Sequence, residues 1–322
     1  MFNLIAIVLQ VLPVNLFLSR RYAFAGTAAF RVLPSIAYLA LPNSTEINAN
    51  LTNSQWHLAL LALVILLAHP GKSSGWAIFD ITVISLLSLT GPFSILLLPV
   101  AAVMYWRTKG GHMAVLGGVI ASGALIQGMA LSAGTRVARP LGATWHQFVR
   151  ITGHQVFLSA LFGNRGFWLP DPQPGWYSAV LLLALVLGTA TMIYAVVRGP
   201  LQLKLFVLFS ALVLAASLKW PLADWQVLHQ PGAAGRYWFF PMMGFLASVF
   251  WMVFNRAVSG KAKAAAVLVL LAMPIGIVRD WRYPSLPDLH FPQYAAQFSA
   301  LPRGSRFAIP INPGWTMVLI KK

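Results

Sequence analysis

The sequence predicts an all-α, polytopic membrane protein with about ten membrane-spanning helices, outer-side loops and a small C-terminal β-hairpin tail. Of its 322 residues, 58% are hydrophobic and only 9% are charged, whereas soluble domains carry roughly 25% charged residues. Apolar runs that approach the about 20 helical residues needed to cross a bilayer recur along most of the chain. A run such as 179–187 (AVLLLALVL) lacks the two-residue alternation of a membrane β-barrel strand.

Ten apolar runs define the predicted spans, which are 2–19, 24–42, 55–69, 76–90, 92–106, 113–133, 176–197, 201–219, 237–255 and 264–279. Every second connection is basic, and the cations there are Arg20, Arg21, Lys72, Arg107, Lys109, Arg198, Lys204, Arg256, Lys261 and Lys263. The short connections 43–54 and 90–92 contain no Lys or Arg. By the positive-inside rule, the basic connections lie in the cytoplasm and both termini lie outside.

Two of the predicted spans, 76–90 and 92–106, are shorter than a straight crossing requires. They meet at Thr90-Gly91-Pro92, where glycine permits a tight turn and proline interrupts the helical hydrogen bonds. We expect a helical hairpin whose tip lies at membrane depth, covered by protein. The alternative is one kinked helix, which would place Lys72 and Arg107 on opposite sides of the membrane.

The predicted domain organisation is a transmembrane domain, 1–279, followed by a non-cytoplasmic tail, 280–322. Its outer loops are 43–54, 134–175 and 220–236. Apolar residues recur at helical spacing over 145–163, which predicts an amphipathic helix lying on the membrane or on the protein. In the tail, 307–311 and 315–320 flank an Asn-Pro-Gly turn signal and predict the β-hairpin.

Glu46 is one of only six acids in the chain, and five of the six fall on the predicted outer side. Its loop, 43–57, has no Lys or Arg and also carries Asn50 and Asn53. A carboxylate kept among apolar helices binds its proton more tightly, which suits a general base. A helix-start carboxylate or a solvated loop acid is the alternative. Asp80 is interpreted as an acid that favours the positive N-terminal end of its helix.

Arg236 and Tyr237 begin a predicted span on the outer side. The guanidinium suits bidentate binding of a phosphate, although an arginine extending to the lipid headgroups beside an aromatic belt has the same pattern. A second cationic cluster on that side consists of Arg136, Arg139, Arg150 and Arg165, with His146 and His154 nearby in sequence. The histidines lack metal-ligand spacing, so neither a metal nor another cofactor is predicted. No basic domain for nucleic acid is present in the sequence.

Four stretches of the sequence resemble one family: 46–56 (EINANLTNSQW), 88–99 (SLTGPFSILLLP), 235–241 (GRYWFFP) and 309–319 (IPINPGWTMVL). Together they are similar to bacterial polytopic membrane proteins related to the GT-C glycosyltransferases. The resemblance implies transfer of a sugar from a polyprenyl-phosphate carrier to a glycan or lipid acceptor, in cell-envelope polysaccharide synthesis. It also implies a multi-pass protein of the bacterial inner membrane whose catalytic face is non-cytoplasmic.

The resemblance assigns Glu46 the role of general base, with Asn50 and Asn53 as its hydrogen-bonding neighbours. The arginine of the Arg-Tyr motif would neutralise the carrier phosphate, and the residues expected to bind substrate are Arg236, Tyr237, Arg136, Arg139, Arg150 and His154. GT-C enzymes normally carry a key acid in an outer loop after a helix that starts in the cytoplasm. This chain starts outside, so we expect either an N-terminally shortened chain or an exchanged role for Glu46.

Two other functions remain open from the sequence. A transporter or flippase of lipid-linked saccharides would use polar groups at mid-membrane and paired broken helices. An enzyme like the O-antigen polymerases or ligases would use outer-loop arginine and histidine, for which His146, Arg150 and His154 are candidates.

Overall fold

The structure is a computed structural model that describes residues 2–133, 140–169, 174–221, 223–282, 287–312 and 315–322. The chain divides into two compact units, Met1–Trp281 and Arg282–Lys322. The first unit is helical, and the second combines one helix with a two-stranded sheet.

The helices of the first unit are α1 (Phe2–Leu18), α2 (Ala28–Leu39), α3 (Gln55–Leu67), α4 (Ser74–Thr90), α5 (Phe93–Thr108), α6 (Gly111–Ala133), α7 (Trp145–Arg150), α8 (Ser159–Phe162), α9 (Gly175–Arg198), α10 (Leu201–Lys219), α11 (Trp225–Leu228), α12 (Gly235–Phe254) and α13 (Gly260–Asp280). A π-helical segment, Ile151–Leu158, joins α7 to α8. Hydroxyl side chains cap several helices by accepting an N–H of the first turn, as Ser73 does for α4 and Thr144 for α7.

All ten predicted apolar helices form, each within about one helical turn of its predicted ends. Five of them are long and apolar enough to cross a membrane: α6, α9, α10, α12 and α13. The other five, α1 to α5, are shorter apolar helices. The helical membrane class therefore agrees with the structure, whereas ten crossings and the assignment of outer loops stay predictions.

The chain reverses at Gly91-Pro92. Near the start of α4, Asp80 contacts His112 at the start of α6, and farther along, Ser88 packs against Gly123, so α4 and α6 run in the same direction. Since α5 connects the end of α4 to the beginning of α6, it runs the opposite way. The alternative of a single kinked helix is therefore wrong. The turn packs closely against α3, because a Cβ at Gly91 would clash with the Gln55 side chain. The depth of this turn in a membrane stays a prediction.

A buried ionic cluster joins α4 to the segment that follows α1. Asp80 is fully buried, and its two carboxylate oxygens accept hydrogen bonds from Arg21 Nη1 at 2.7 Å and Nη2 at 2.8 Å. His112 Nε2 lies 3.0 Å from the same carboxylate. Arg21 Nε also donates to the carbonyl of His69 at 2.8 Å.

The interpretation of Asp80 as a helix-end carboxylate is wrong. Helix α4 begins at Ser74 and has no acid in its first turn, so the N-terminal N–H groups are out of reach of this side chain. A neighbouring guanidinium provides the compensation that burial of a carboxylate requires.

The predicted amphipathic helix over 145–163 forms as α7, the π-helical segment and α8, and its second half is buried in the protein. Glycines allow its close approach to the long helices. A Cβ at Gly153 would clash with the backbone of Leu181 in α9, and a Cβ at Gly276 in α13 would clash with the backbone of Leu161. This helix therefore lies between helices rather than flat on a membrane.

The second unit contains α14 (Phe291–Ala300), β1 (Arg306–Ile311) and β2 (Trp315–Ile320). The strands pair antiparallel, with Phe307 opposite Leu319, which confirms the predicted hairpin. The ring of Phe307 packs against Tyr294 and Phe298 of α14. Helix α14 was not predicted from the sequence.

The predicted topology can be tested by cysteine labelling, because the chain contains no native cysteine. Thr52→Cys and Ala257→Cys both lie at exposed positions in connections between apolar helices. In right-side-out vesicles, we expect a membrane-impermeant maleimide to label Thr52→Cys and to leave Ala257→Cys unlabelled until detergent is added. Equal labelling of both before detergent would contradict ten alternating crossings.

The Arg21–Asp80 pair predicts non-additive effects on stability. Removing one partner leaves an uncompensated buried charge, so Arg21→Met should cost about 3–5 kcal/mol of unfolding free energy. The Arg21→Met/Asp80→Leu double variant should recover most of that loss, because neither charge remains. Denaturation in detergent micelles measures the double variant and the two single variants, Arg21→Met and Asp80→Leu. Simple additivity of the two single effects would contradict the ionic coupling.

Candidate functional site

The candidate site is built on the Glu46 loop, which we define as residues 43–54. One end of this loop is fixed by Asn43, whose backbone adopts a left-handed φ of 55°. Its N–H donates to Asp280 Oδ2 at 2.6 Å, and its Nδ2 donates to the carbonyl and side-chain oxygens of Gln155, each at 3.2 Å. The loop is thus attached both to α13 and to the π-helical segment.

Buried polar side chains fix the middle of the loop from the opposite side. Gln10 of α1 donates through Nε2 to Asn48 Oδ1 at 3.0 Å. The Tyr38 hydroxyl donates to the Gln10 carbonyl at 2.7 Å and lies 2.8 Å from His57 Nδ1. His57 Nε2 is in turn 3.2 Å from the carbonyl of Ile47. The loop therefore has a defined conformation before any ligand binds.

This loop brings together Glu46, Asn50, Asn53, Arg236 and Tyr237. Glu46 Oε1 is ion-paired with Arg236 Nη1, and Glu46 Oε2 accepts the Arg236 backbone N–H at 3.0 Å. Asn50 and Asn53 both donate to the Glu46 carbonyl, at 3.0 and 2.9 Å. The guanidinium lies 5.1 Å from the centre of the Tyr237 ring. Five residues that the sequence singled out are thus neighbours in the structure.

Glu46 caps a helix that belongs to another part of the chain. Helix α12 begins at Gly235, and Arg236 offers one of the first-turn N–H groups that no intrahelical carbonyl can accept. The carboxylate accepts it and meets the positive end of the helix dipole. Gly235 lies close to the loop, because a Cβ there would stand 3.3 Å from the Asn43 carbonyl oxygen and 3.7 Å from Glu46.

The expectation that Glu46 is an isolated carboxylate among apolar helices is wrong. Its side chain is 27% exposed and that of Arg236 is 22% exposed, so both are accessible from solvent. The Glu46 carboxylate meets an opposite charge and a hydrogen-bond donor from one residue, Arg236. A proton-accepting role for Glu46 therefore requires that the Arg236 guanidinium leave the Glu46 carboxylate.

Aromatic rings form the apolar side of the site. The Trp56 ring centre lies 4.8 Å from that of Phe93 and 6.2 Å from those of Tyr237 and Phe240. The Trp56 indole N–H is buried and has no hydrogen-bond partner among the described residues. Sequence reasoning missed Trp56 as a site residue, although it lies inside the 46–56 motif.

Three other supporting residues were also missed: Gln10, Gln155 and Asp280. The signal available in the sequence was a polar side chain within or at the end of an apolar run. Such groups need a partner when they are buried, but the sequence does not say that all three partners lie in one loop.

Four further residues were predicted to bind substrate, and the described residues include two of them, Arg150 and His154. Arg136 and Arg139 lie outside the described residues. Arg150 and His154 are on the helix that contains the π-helical segment, and both are buried. Burial, together with the neighbouring charges of His229 and Arg150, lowers the pKa of His154 to about 4. His154 is therefore neutral at pH 7 and only 2% exposed.

Across the described ranges, no group of three or more His, Asp or Glu side chains is arranged to hold a metal ion. Comparison of the chain with protein-family models, curated proteins and solved structures finds no match. The interpretation of the site accordingly depends on its geometry and chemistry.

His154 predicts a specific pH dependence of stability. Its pKa is about 4 in the folded chain and about 6.5 when unfolded, so the unfolded state binds more protons between these values. The free energy of unfolding should fall as the pH drops from about 6.5 to about 4, by up to about 3 kcal/mol from this residue. The His154→Leu variant should not show this fall in the free energy of unfolding, so it should be more stable than the wild type at pH 5.

Thermal unfolding in detergent between pH 4 and 8 measures this difference. His146→Leu is the matched control, because His146 is exposed on the same helix. An unchanged pH dependence in His154→Leu would contradict the prediction.

Proposed function

We propose that the chain is a membrane glycosyltransferase that moves a sugar from a polyprenyl-phosphate donor to an acceptor hydroxyl, on the outer face of the bacterial inner membrane. The observation that carries this proposal is the pairing of Glu46 with Arg236, which are 190 residues apart in the chain. An accessible carboxylate and an accessible guanidinium at one site are the base and the phosphate-binding group that the transfer requires.

In the proposed reaction the acceptor oxygen attacks the anomeric carbon of the donor sugar, with inversion. The bond from that carbon to the phosphate oxygen breaks, and its electron pair leaves with the polyprenyl phosphate. Glu46 takes the proton from the attacking hydroxyl. Arg236 stabilises the negative charge that develops on the phosphate, which is the stage at which electrostatic help lowers the barrier.

The Glu46–Arg236 pair sets the order in which the donor and the acceptor act in this mechanism. In the free protein the guanidinium is occupied by Glu46, so the carboxylate is a weak base. The donor phosphate competes for the same guanidinium, because phosphate and carboxylate match it in similar geometry. Once the phosphate has taken Arg236, Glu46 loses its ionic partner and becomes able to accept a proton. Donor binding therefore precedes activation of the acceptor.

The rigidity of the site supports the same proposal. Asn50 and Asn53 hold the backbone of Glu46, while Asn43 and Asn48 attach the loop to surrounding helices. A base that is positioned before substrate arrives avoids an entropic cost during the reaction. The Tyr237 ring beside the guanidinium limits the directions in which Arg236 can turn.

The two alternatives have less support in the structure. A transporter or flippase calls for paired broken helices, and the described chain has one clear reversal inside an apolar region, at Gly91-Pro92. A polymerase- or ligase-like enzyme would use His146, Arg150 and His154; His146 is exposed, but Arg150 and His154 are buried. Glu46 and Arg236 are accessible, which favours the transferase.

Glu46→Gln separates the proposed roles. We expect it to lower sugar transfer by about 10²–10⁴-fold, as loss of a general base does. It should also bind polyprenyl monophosphate more tightly than the wild type, because Arg236 no longer has a charged competitor. Arg236→Gln should lose both transfer and phosphate binding. Transfer is measured with a panel of polyprenyl-phosphate sugars, and binding by titration with polyprenyl monophosphate in nanodiscs.

The matched control is Asp288→Asn, which removes an exposed acid in the second unit and should leave both measurements unchanged. Unaltered transfer by Glu46→Gln would refute its role as base. Unaltered phosphate binding by Arg236→Gln would refute the phosphate site.

A further inference from the structure

A groove of about 360 Å³ lies between α1 and α4, in a part of the molecule that the proposed reaction does not use. Its apolar lining consists of Leu12 and Leu16 from α1 and of Trp76 and Phe79 from α4. Cavities of roughly 300–1,000 Å³ hold small-molecule ligands in proteins. Its lining is mostly apolar, so it suits an apolar ligand such as an acyl chain.

Asn15 marks the groove as more than an ordinary lipid-facing surface. It is an exposed amide on the largely apolar helix α1, and it lines the groove. It makes no side-chain hydrogen bond within the described residues. In a bilayer an amide without a partner is costly, so a ligand that offers an acceptor, such as an ester carbonyl, would satisfy it.

The charges at the end of the groove are positive. Arg20 and Lys72 are both exposed, and they adjoin the ends of α1 and α4 that line the groove. Within residues 1–133 the only acids are Glu46 and Asp80. Each of these is already ion-paired, Glu46 with Arg236 and Asp80 with Arg21. An anion beside Arg20 and Lys72 would therefore meet no competing carboxylate from this part of the chain.

The groove wall is rigid because of the buried ionic cluster behind it. The Trp76 ring lies 5.0 Å from the Arg21 guanidinium, which Asp80 holds from the other side. The Trp76 indole is thus held between the buried ion pair and the groove, so the groove is preformed before a ligand binds.

We propose that this groove binds an anionic phospholipid of the surrounding bilayer. One acyl chain lies along Leu12, Leu16, Trp76 and Phe79, an ester carbonyl accepts from Asn15, and the headgroup phosphate lies at Arg20 and Lys72. The positive-inside rule places these two cations at the cytoplasmic leaflet, which is the leaflet rich in anionic lipid. The inference is independent of the proposed transfer reaction.

Gly75→Leu tests the groove directly. Gly75 lines it, and a Cβ there meets only Ser73 Oγ, at an ordinary contact distance of 3.8 Å. The variant should therefore fold while its side chain fills the groove. Gly111→Leu is the matched control, since Gly111 is in the first turn of α6 with nothing within 4 Å of an added Cβ.

The full chain is purified in a neutral detergent and titrated with phosphatidylglycerol or phosphatidylcholine. Native mass spectrometry counts the bound lipid molecules, and thermal unfolding measures the stabilisation that they cause. We expect retention of phosphatidylglycerol and a higher unfolding temperature in the wild type and in Gly111→Leu, and neither effect in Gly75→Leu. The Arg20→Gln/Lys72→Gln variant should bind phosphatidylglycerol about tenfold to thirtyfold more weakly.

Equal affinity for the two lipids would overturn the proposal, as would unchanged phosphatidylglycerol binding by Gly75→Leu. A dimer that Gly75→Leu abolishes would also overturn it, because the groove would then be occupied by a second copy of the chain.

Discussion

The capping of α12 by Glu46 is the interaction on which the site depends. A polar loop at the end of an apolar bundle must find partners for its backbone groups, and it offers its own groups to the helices around it. Here the Glu46 carboxylate accepts the backbone N–H of Arg236 in the first turn of α12, and the Arg236 guanidinium forms an ion pair with the same carboxylate. Because Asn43 fastens the same loop to Asp280 and Gln155, the start of α12, the end of α13 and the π-helical segment are positioned together.

That capping interaction also sets a limit on the chemistry. In the proposed reaction, the carboxylate of Glu46 must lose the guanidinium that it neutralises, so stability and reactivity would compete at this position. A ligand whose phosphate replaces Glu46 on Arg236 would relieve the competition without moving the loop, since the backbone of Glu46 is held separately by Asn50 and Asn53. In the proposed reaction, this separate anchoring of the backbone and the side chain would allow Glu46 to serve both structure and catalysis.

Much of this arrangement was predictable from local sequence, and the rest depended on contacts between distant residues. Apolar runs located the ten helices, and an Asn-Pro-Gly turn between alternating strands located the hairpin. The partner of Asp80 could not be predicted, because periodicity locates a helix but does not specify which distant cation it meets; Arg21 is 59 residues away. The π-helical segment and α14 lack a local signal that distinguishes them from other helical or irregular sequence. Glu46, Asn50, Asn53, Arg236 and Tyr237, which the sequence singled out, are neighbours in the structure, and their roles stay predictions. The ion pair between Glu46 and Arg236 was not predicted.

The Arg21–Asp80 pair has a consequence for how the protein is made. Arg21 leaves the ribosome well before Asp80, and a guanidinium destined for the protein interior has no counter-ion during that interval. The contact that Arg21 makes with α4 can therefore form only after α4 has been synthesised. The packing around this ion pair is therefore expected to be completed once the first four helices are all present. The order in which the chain is translated therefore constrains when the buried Arg21–Asp80 pair can form.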